Sequence, residues 1–195
     1  AEEERFTRIK HCAGFPVKAI DWCLKDARIQ LEDLDHISIN TNPKTHLIKK
    51  FAYVVRRKPN PFFIFDRLIN KRERVNLKKV FKDNFGNQII KAKFHFVEHH
   101  KCHLASAFFA SSFNNALVIS VDGFGDFASC AVGIGNNNKL SILDYVFFPH
   151  SLGVFYTAMT QFLGFPNFGD EYKVMGLAPY GNPKYMNEMR EIVKL

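Results

Sequence analysis

The sequence contains no apolar run approaching the ~20 residues that cross a bilayer as a helix. Its opening residues, Ala1 to Arg5, carry charge where a secretory signal needs a hydrophobic stretch. No membrane partner is expected. Cys-x-x-Cys spacing is also missing: Cys12, Cys23, Cys102 and Cys130 are scattered. That argues against a zinc ribbon or a redox pair and suits free thiols in a cytoplasmic protein. Low-complexity tracts and internal repeats are absent too, so neither a disordered protein nor a solenoid is implied. The chain begins at Ala1 rather than Met, inside a stretch that is already motif-like, and reads as a start cut from something longer.

What is present is core material. Apolar residues make up 47% of the 195, and Phe alone occurs 21 times. A chain of this length is one domain or a large part of one, and buries about two-thirds to three-quarters of its unfolded surface. The net charge of +8 is uneven: Lys44 to Lys93 holds fifteen Lys and Arg against three acids, whereas Ala105 to Gly181 carries little net charge. A basic stretch of this kind marks either a phosphate- or nucleic-acid-binding face or the solvated surface of one or two helices.

Along the chain, Pro16 suits the first turn of a helix over Val17 to Ala27, where Ile20, Cys23, Leu24 and Ala27 recur at helical spacing. Leu34 to Ile39 alternates as a short strand, closed by turn residues Asn40 to Pro43. The basic region 44–88 is expected to be helical, in two pieces separated by Pro59 and Pro61. Ile89 to Val97 alternates as a strand, and His99 to Ser112 is helical, with Leu104, Ala107, Phe108 and Ser111 on one face. Strands are expected at Ala116 to Val121, Phe127 to Ile134 and Leu140 to Phe148. Turns at Asp122 to Asp126 and Gly135 to Asn138 join them into an antiparallel meander. Ser151 to Leu163 is helical, with Ser151 its cap. The class expected is α/β, a mixed sheet with hairpins and flanking helices.

Four stretches carry chemistry. In Glu98-His99-His100-Lys101-Cys102-His103, His99 and His103 are one helical turn apart, so both imidazoles can meet one metal ion. The alternative is a pair of cap histidines. A buried-looking strand runs into Asp122-Gly123-Phe124-Gly125-Asp126. Asp122 can ligate a cation, and Gly123 and Gly125 let backbone N–H groups approach phosphate oxygens; the alternative is an ordinary hairpin turn. Two imidazoles and a carboxylate suit iron, zinc or manganese. Gly169 to Gly181 groups two acids, a Lys and three glycines in what reads as a substrate-holding loop. Near the start, Arg8 and Lys10 can pair with phosphate or carboxylate. For these last two stretches the alternative is a salt-bridged surface.

Taken together and in order, EEERFTRIKH, HHKCHLASAFFAS, ALVISVDGFGDFAS, FPHSLGVFYTAMTQFLGF and GDEYKVMGLAPYG resemble the NodU/CmcH-type O-carbamoyltransferases. The resemblance covers nearly the whole chain, least over Lys44 to Ile90. It implies that residues 1–195 are part of an amino-terminal, actin-like or sugar-kinase-like (ribonuclease H-like) ATPase lobe. The carboxy-terminal domain that forms carbamoyl-adenylate from ATP and carbamoyl phosphate is absent from the sequence. It further implies transfer of the carbamoyl group to a hydroxyl of a small molecule beside a divalent metal, usually iron. His99, His103 and Asp122 match the metal ligands, and Gly123 and Gly125 the turn facing the nucleotide phosphates. A further carboxylate ligand of relatives falls past Leu195, and a His-Asp-containing turn ahead of EERFTR is missing. On motif membership, Arg8, Lys10 and Lys173 are candidates for positive groups near the carbamoyl or phosphate. Glu171 is a candidate for orienting the acceptor, so that Lys10, Glu171 and Lys173 form the catalytic set.

Two rival readings remain. The tRNA-modifying branch of the same superfamily is favoured by the basic region, but FPHSLGVFYTA and EYKVMGLAPYG look like the small-molecule branch, so nucleic acid is not the expected partner. A non-catalytic nucleotide- or metal-binding module is favoured by the missing ends. The acceptor, native metal and oligomeric state stay open, a homodimer among them.

Overall fold

The computed structural model describes residues 1–12, 14–60, 62, 76–86 and 90–193. They form two compact units, residues 1–102 and 103–195, taken separately below.

The first unit opens with a short helix, α1 (Glu3–Thr7), where the sequence shows no period. Its acids are used structurally. Helix α2 (Val17–Ala27) starts behind Pro16, which offers no side-chain acceptor, so the Glu3 carboxylate substitutes as the cap. It accepts the backbone N–H groups of Lys18 at 3.3 Å and Ala19 at 2.8 Å. A carboxylate there is also favoured by the helix dipole, by about 0.3–1 kcal/mol. Glu4 accepts the His11 N–H at 2.8 Å. Pro16 therefore sits one place ahead of the first helical turn. The stripe that α2 turns inward is Ala19, Ile20 and Leu24, while Cys23 and Ala27 are exposed.

Strands β1 (His36–Ile39) and β2 (Lys93–Phe96) pair in parallel, with His36 opposite Lys93 and Ile39 opposite Phe96. Between them come α3 (Leu47–Arg57) and α4 (Leu77–Phe85), the latter capped by Asn76. These are the described helical parts of the basic region. Pro61, residues 63–75 and 87–89, and with them the start of the strand expected from Ile89, lie outside the described residues. Phenylalanine builds the core: buried Phe81 meets Phe15, Phe94 and Phe85 at centroid distances of 4.8, 5.8 and 5.9 Å. The edge-on and offset arrangements are those that aromatic quadrupoles prefer.

The second unit is built on an antiparallel meander, β3 (Asn115–Gly125), β4 (Ala128–Asn136) and β5 (Lys139–Phe147), in the order β3-β4-β5. The mixed α/β class with hairpins thus holds. The first turn lies later than expected: β3 continues through Asp122 to Gly125 with a register shift, and the chain reverses at Asp126 and Phe127, both at positive φ. Two positive φ values match the right-handed twist of a two-residue hairpin, so the pair Asp126-Phe127, not Asp122-Gly123, makes the turn. The Phe127 ring lies 5.8 Å from that of Phe148.

Helix α5 (His99–Phe109) lays Leu104 and Phe108 on this sheet against Val118 and Ala131. Ala107, expected on that face, is exposed. Two strand glycines make the approach possible. A Cβ on Gly135 would overlap the Phe108 ring, and one on Gly133 would stand 2.8 Å from the Ser141 carbonyl. Gly135→Ala is expected to destabilise the protein by about 1–3 kcal/mol through overpacking, read as a lower urea midpoint. A smaller residue at position 108 should recover part of that loss.

Helices α6 (Leu152–Phe162), α7 (Glu171–Leu177) and α8 (Met186–Ile192) complete the unit. Ser151 caps α6 as expected, accepting the Val154 N–H at 3.1 Å. The stretch Gly169 to Gly181 is not a loop: α7 and a 3₁₀ turn at Ala178–Tyr180 fill most of it. The glycine content concealed a helix whose start is fixed by Asp170, paired with Lys173 one turn on. No helix among the described residues is long and apolar enough to cross a membrane, and the four cysteines are free thiols.

Candidate metal centre

The boundary between the two units falls inside α5, whose first turn carries His99 and whose second carries His103. The helix starts there because Glu98 caps it. Its carboxylate accepts the N–H of His100 at 3.0 Å and of Lys101 at 2.7 Å, and its carbonyl accepts the Cys102 N–H. Glu98 is not a favoured cap type, so residue type alone does not mark it for this role.

His99 Nδ1 lies 3.3 Å from the carbonyl oxygen of Asn40, at the end of β1. With Nδ1 as the donor in that bond, Nε2 presents its lone pair, the usual way an outer partner sets the tautomer of a ligating imidazole. His103 Nε2 faces Asp122 Oδ2 at 3.4 Å. Asp122 Oδ1 accepts the adjacent Gly123 N–H at 2.6 Å, so one oxygen is engaged by the backbone and the other turns to the histidine.

One ligand atom from each of His99, His103 and Asp122 lies within 4.8 Å of the others. Donors sharing one cation at about 2.0–2.2 Å are at most about 4.4 Å apart, so a closure of roughly half an ångström by side-chain rotation is enough. The donor set fits a divalent first-row ion: two imidazoles and one carboxylate with open positions is the arrangement typical of non-haem iron. His103 is half exposed, which leaves room for further ligands. Gly123 is open as well, a Cβ there meeting nothing within 4 Å.

The other candidates fall elsewhere. Arg8, left-handed at the end of α1, and Lys10 line a shallow depression in the first unit with Glu2, Glu4 and Arg5. In the second unit Glu171 accepts a hydrogen bond from the Thr157 hydroxyl on α6 at 2.6 Å. Lys173 donates to buried Asp170 at 2.8 Å. Asp170 also accepts the backbone and side-chain N–H groups of Asn167, both at 3.2 Å, and was missed in the sequence. Its signal was the spacing of Asn167, Asp170 and Lys173, three apart each time.

The Lys173 hydrogen bond holds the Asp170 carboxyl below the usual carboxylate range, burial opposing it, and the same bond raises Lys173 above the usual lysine value. A lowered acid contributes stability above the normal carboxylate range and loses it as pH falls through the lowered value. A raised base loses its share only as pH rises beyond the normal lysine range. Lys173→Met is therefore expected to melt below the parent protein at neutral pH, with the gap closing in strong acid, as followed by thermal unfolding across pH.

Comparison with known proteins shows the family. The family described as carbamoyltransferase N-terminus matches residues 1–194. The uncharacterized protein sll1178 of Synechocystis is 38% identical over 193 residues, which are 95% of this chain and 31% of that protein. Nodulation protein NolNO of Sinorhizobium fredii is 35% identical over 182 residues, 93% of this chain and 26% of that one. Nodulation protein NolO of Bradyrhizobium diazoefficiens is 45% identical over 95 residues, 48% of this chain and 17% of that one. This chain belongs to the carbamoyltransferase family, as its amino-terminal, ATPase-like lobe. It spans about a quarter to a third of the length of the first two relatives.

Proposed function

We propose that this chain is the carbamoyl-accepting lobe of an O-carbamoyltransferase, moving a carbamoyl group from carbamoyl-adenylate to a hydroxyl of a small molecule. The observation that carries the reading is the approach of one ligand atom each from His99, His103 and Asp122 to within 4.8 Å of one another, in a domain of this family. A divalent ion bound there, with iron the first candidate, would supply Lewis-acid stabilisation of charge on the carbamoyl and phosphate oxygens.

The chemistry asked of the protein is modest because AMP is a good leaving group. The acceptor oxygen bonds to the carbamoyl carbon. The bond from that carbon to the phosphate oxygen breaks, AMP leaves with the electron pair, and the acceptor proton passes to water or phosphate. The residues contribute by orientation, which is worth several kcal/mol when a bimolecular step becomes intramolecular. Gly123 leaves the backbone near the β3 end open to a phosphate, and in the first unit Arg8 and Lys10 offer positive charge for an anion. Lys173 and Glu171 remain candidates for the carbamoyl or phosphate and for the acceptor, and each is also bonded within the second unit, to Asp170 and to the Thr157 hydroxyl.

The test is AMP release from synthetic carbamoyl-adenylate with a panel of small hydroxyl compounds, with Fe²⁺ or with chelator. Acceptor-dependent release that needs Fe²⁺ supports the proposal. Release indifferent to both metal and acceptor removes it. A parallel tRNA-binding titration against salt should be flat, because a phosphate-backbone complex would weaken steeply as salt rises.

A further inference from the structure

Ser151 does more than cap α6. Capping uses its oxygen as an acceptor, for the Val154 N–H at 3.1 Å. Its hydroxyl proton is directed elsewhere, toward the carbonyl oxygens of Gly123 at 2.7 Å and Asp122 at 3.2 Å. Two residues on, Gly153 lies against the same peptide. A Cβ there would stand 2.6 Å from the Asp122 oxygen and 2.7 Å from the Asp122 carbon and the Gly123 nitrogen. Those are backbone atoms that no rotamer can move aside, so glycine is what lets the first turn of α6 sit on the end of β3.

We propose that Ser151 and Gly153 are positioning residues for Asp122, fixing the Asp122–Gly123 peptide so that the carboxylate is presented to His103. The inference rests on the metal reading above and deepens it. Asp122 Oδ1 is tied to the Gly123 N–H at 2.6 Å, so turning that peptide swings the carboxylate and carries Oδ2 away from His103 Nε2. One hydroxyl donor and one residue without a Cβ hold the peptide from the helix side, leaving a single orientation. Helix α6 is itself tied to α7 by the Thr157 to Glu171 bond. The motif FPHSLGVFYTA thus forms the frame that joins the Glu171 stretch to the ligand-bearing end of β3, although it contributes no ligand.

Capping and positioning separate by substitution. Glycine is nearly as good a cap as serine, within a few tenths of a kcal/mol, but has no hydroxyl to donate, whereas threonine keeps both functions. Co²⁺ is titrated into the metal-free full chain and followed by its visible absorption bands, which report ligand geometry. Amide exchange of residues 123–125 is measured without metal. For Ser151→Gly and Gly153→Ala we expect Co²⁺ affinity to fall by roughly 10–100-fold, the range for loss of outer partners of metal ligands. Amide exchange at 123–125 should be faster in Ser151→Gly, and Ser151→Thr should stay near the parent in both readouts.

Two results overturn the inference. Parent protein that binds Co²⁺ beside a Ser151→Gly variant that binds it equally well, with unchanged exchange, removes the positioning role alone. Parent protein that takes up no Co²⁺ removes the metal reading, and the role of Ser151 with it.

Discussion

His103→Ala is expected to abolish the transition-metal binding proposed for this chain, with affinity down by more than about 100-fold, beyond the 10–100-fold usual for an outer partner. The reason is the ligand count. Only two imidazoles and one carboxylate lie close enough to share an ion among the described residues, so losing one leaves a His and an Asp that water outcompetes. Asp122→Asn should fall nearly as far, since a neutral amide replaces the anionic ligand while filling the same space. Calorimetric titration with Fe²⁺ under anaerobic conditions, or with Co²⁺ in air, measures both. Thermal melting of the metal-free variants should stay close to the parent, because His103 is half exposed and surface changes away from special features cost little. If both variants retain parental affinity, the ion is held elsewhere.

Leu104→Ala is the second large effect, and it is one of stability. Leu104 neighbours His103 in sequence but lies on a different side of the helix, fully buried at 0% exposure in the cluster with Phe108, Val118 and Ala131. Truncation there costs about 2–5 kcal/mol, through lost transfer energy and the cavity left behind. In a chain of this size each kcal/mol moves the melting temperature by about 2–4 °C, so a fall of roughly 5–15 °C is expected by calorimetry. Leu104→Met, which nearly conserves volume, should lose far less. An unchanged melting temperature in Leu104→Ala would mean that α5 is not seated on the sheet.

These two neighbours show how one helix serves both fold and site. The four-residue spacing of His99 and His103 puts both on one side, and that of Leu104 and Phe108 puts them on another. Both spacings are legible in the sequence, as are the strand leading into Asp122, the Ser151 cap and the meander order. The errors have local causes. Glycine and polar residues in Gly169 to Gly181 suggest a loop, but the Asp170–Lys173 pair and the bond from Thr157 to Glu171 hold a helix. Asp122-Gly123 has turn chemistry, yet the reversal falls at Asp126-Phe127, where strand pairing and the Phe127–Phe148 contact outweigh local preference. The partners of Lys173 and Glu171, Asp170 and the Thr157 hydroxyl, are visible only in the structure.

Periodicity and residue type, which act between near neighbours along the chain, indicated most of the elements, part of the buried faces and the three candidate ligands. Distances between residues far apart in the chain were decided only by tertiary structure. Asp122 meets His103 from 19 positions further along the chain, Ser151 reaches back to Gly123, and Glu3 caps a helix that starts at Val17. Such contacts depend on where the sheet and helices pack, and packing is fixed by shape, by which glycines admit a neighbour, and by which polar groups find partners once water is excluded.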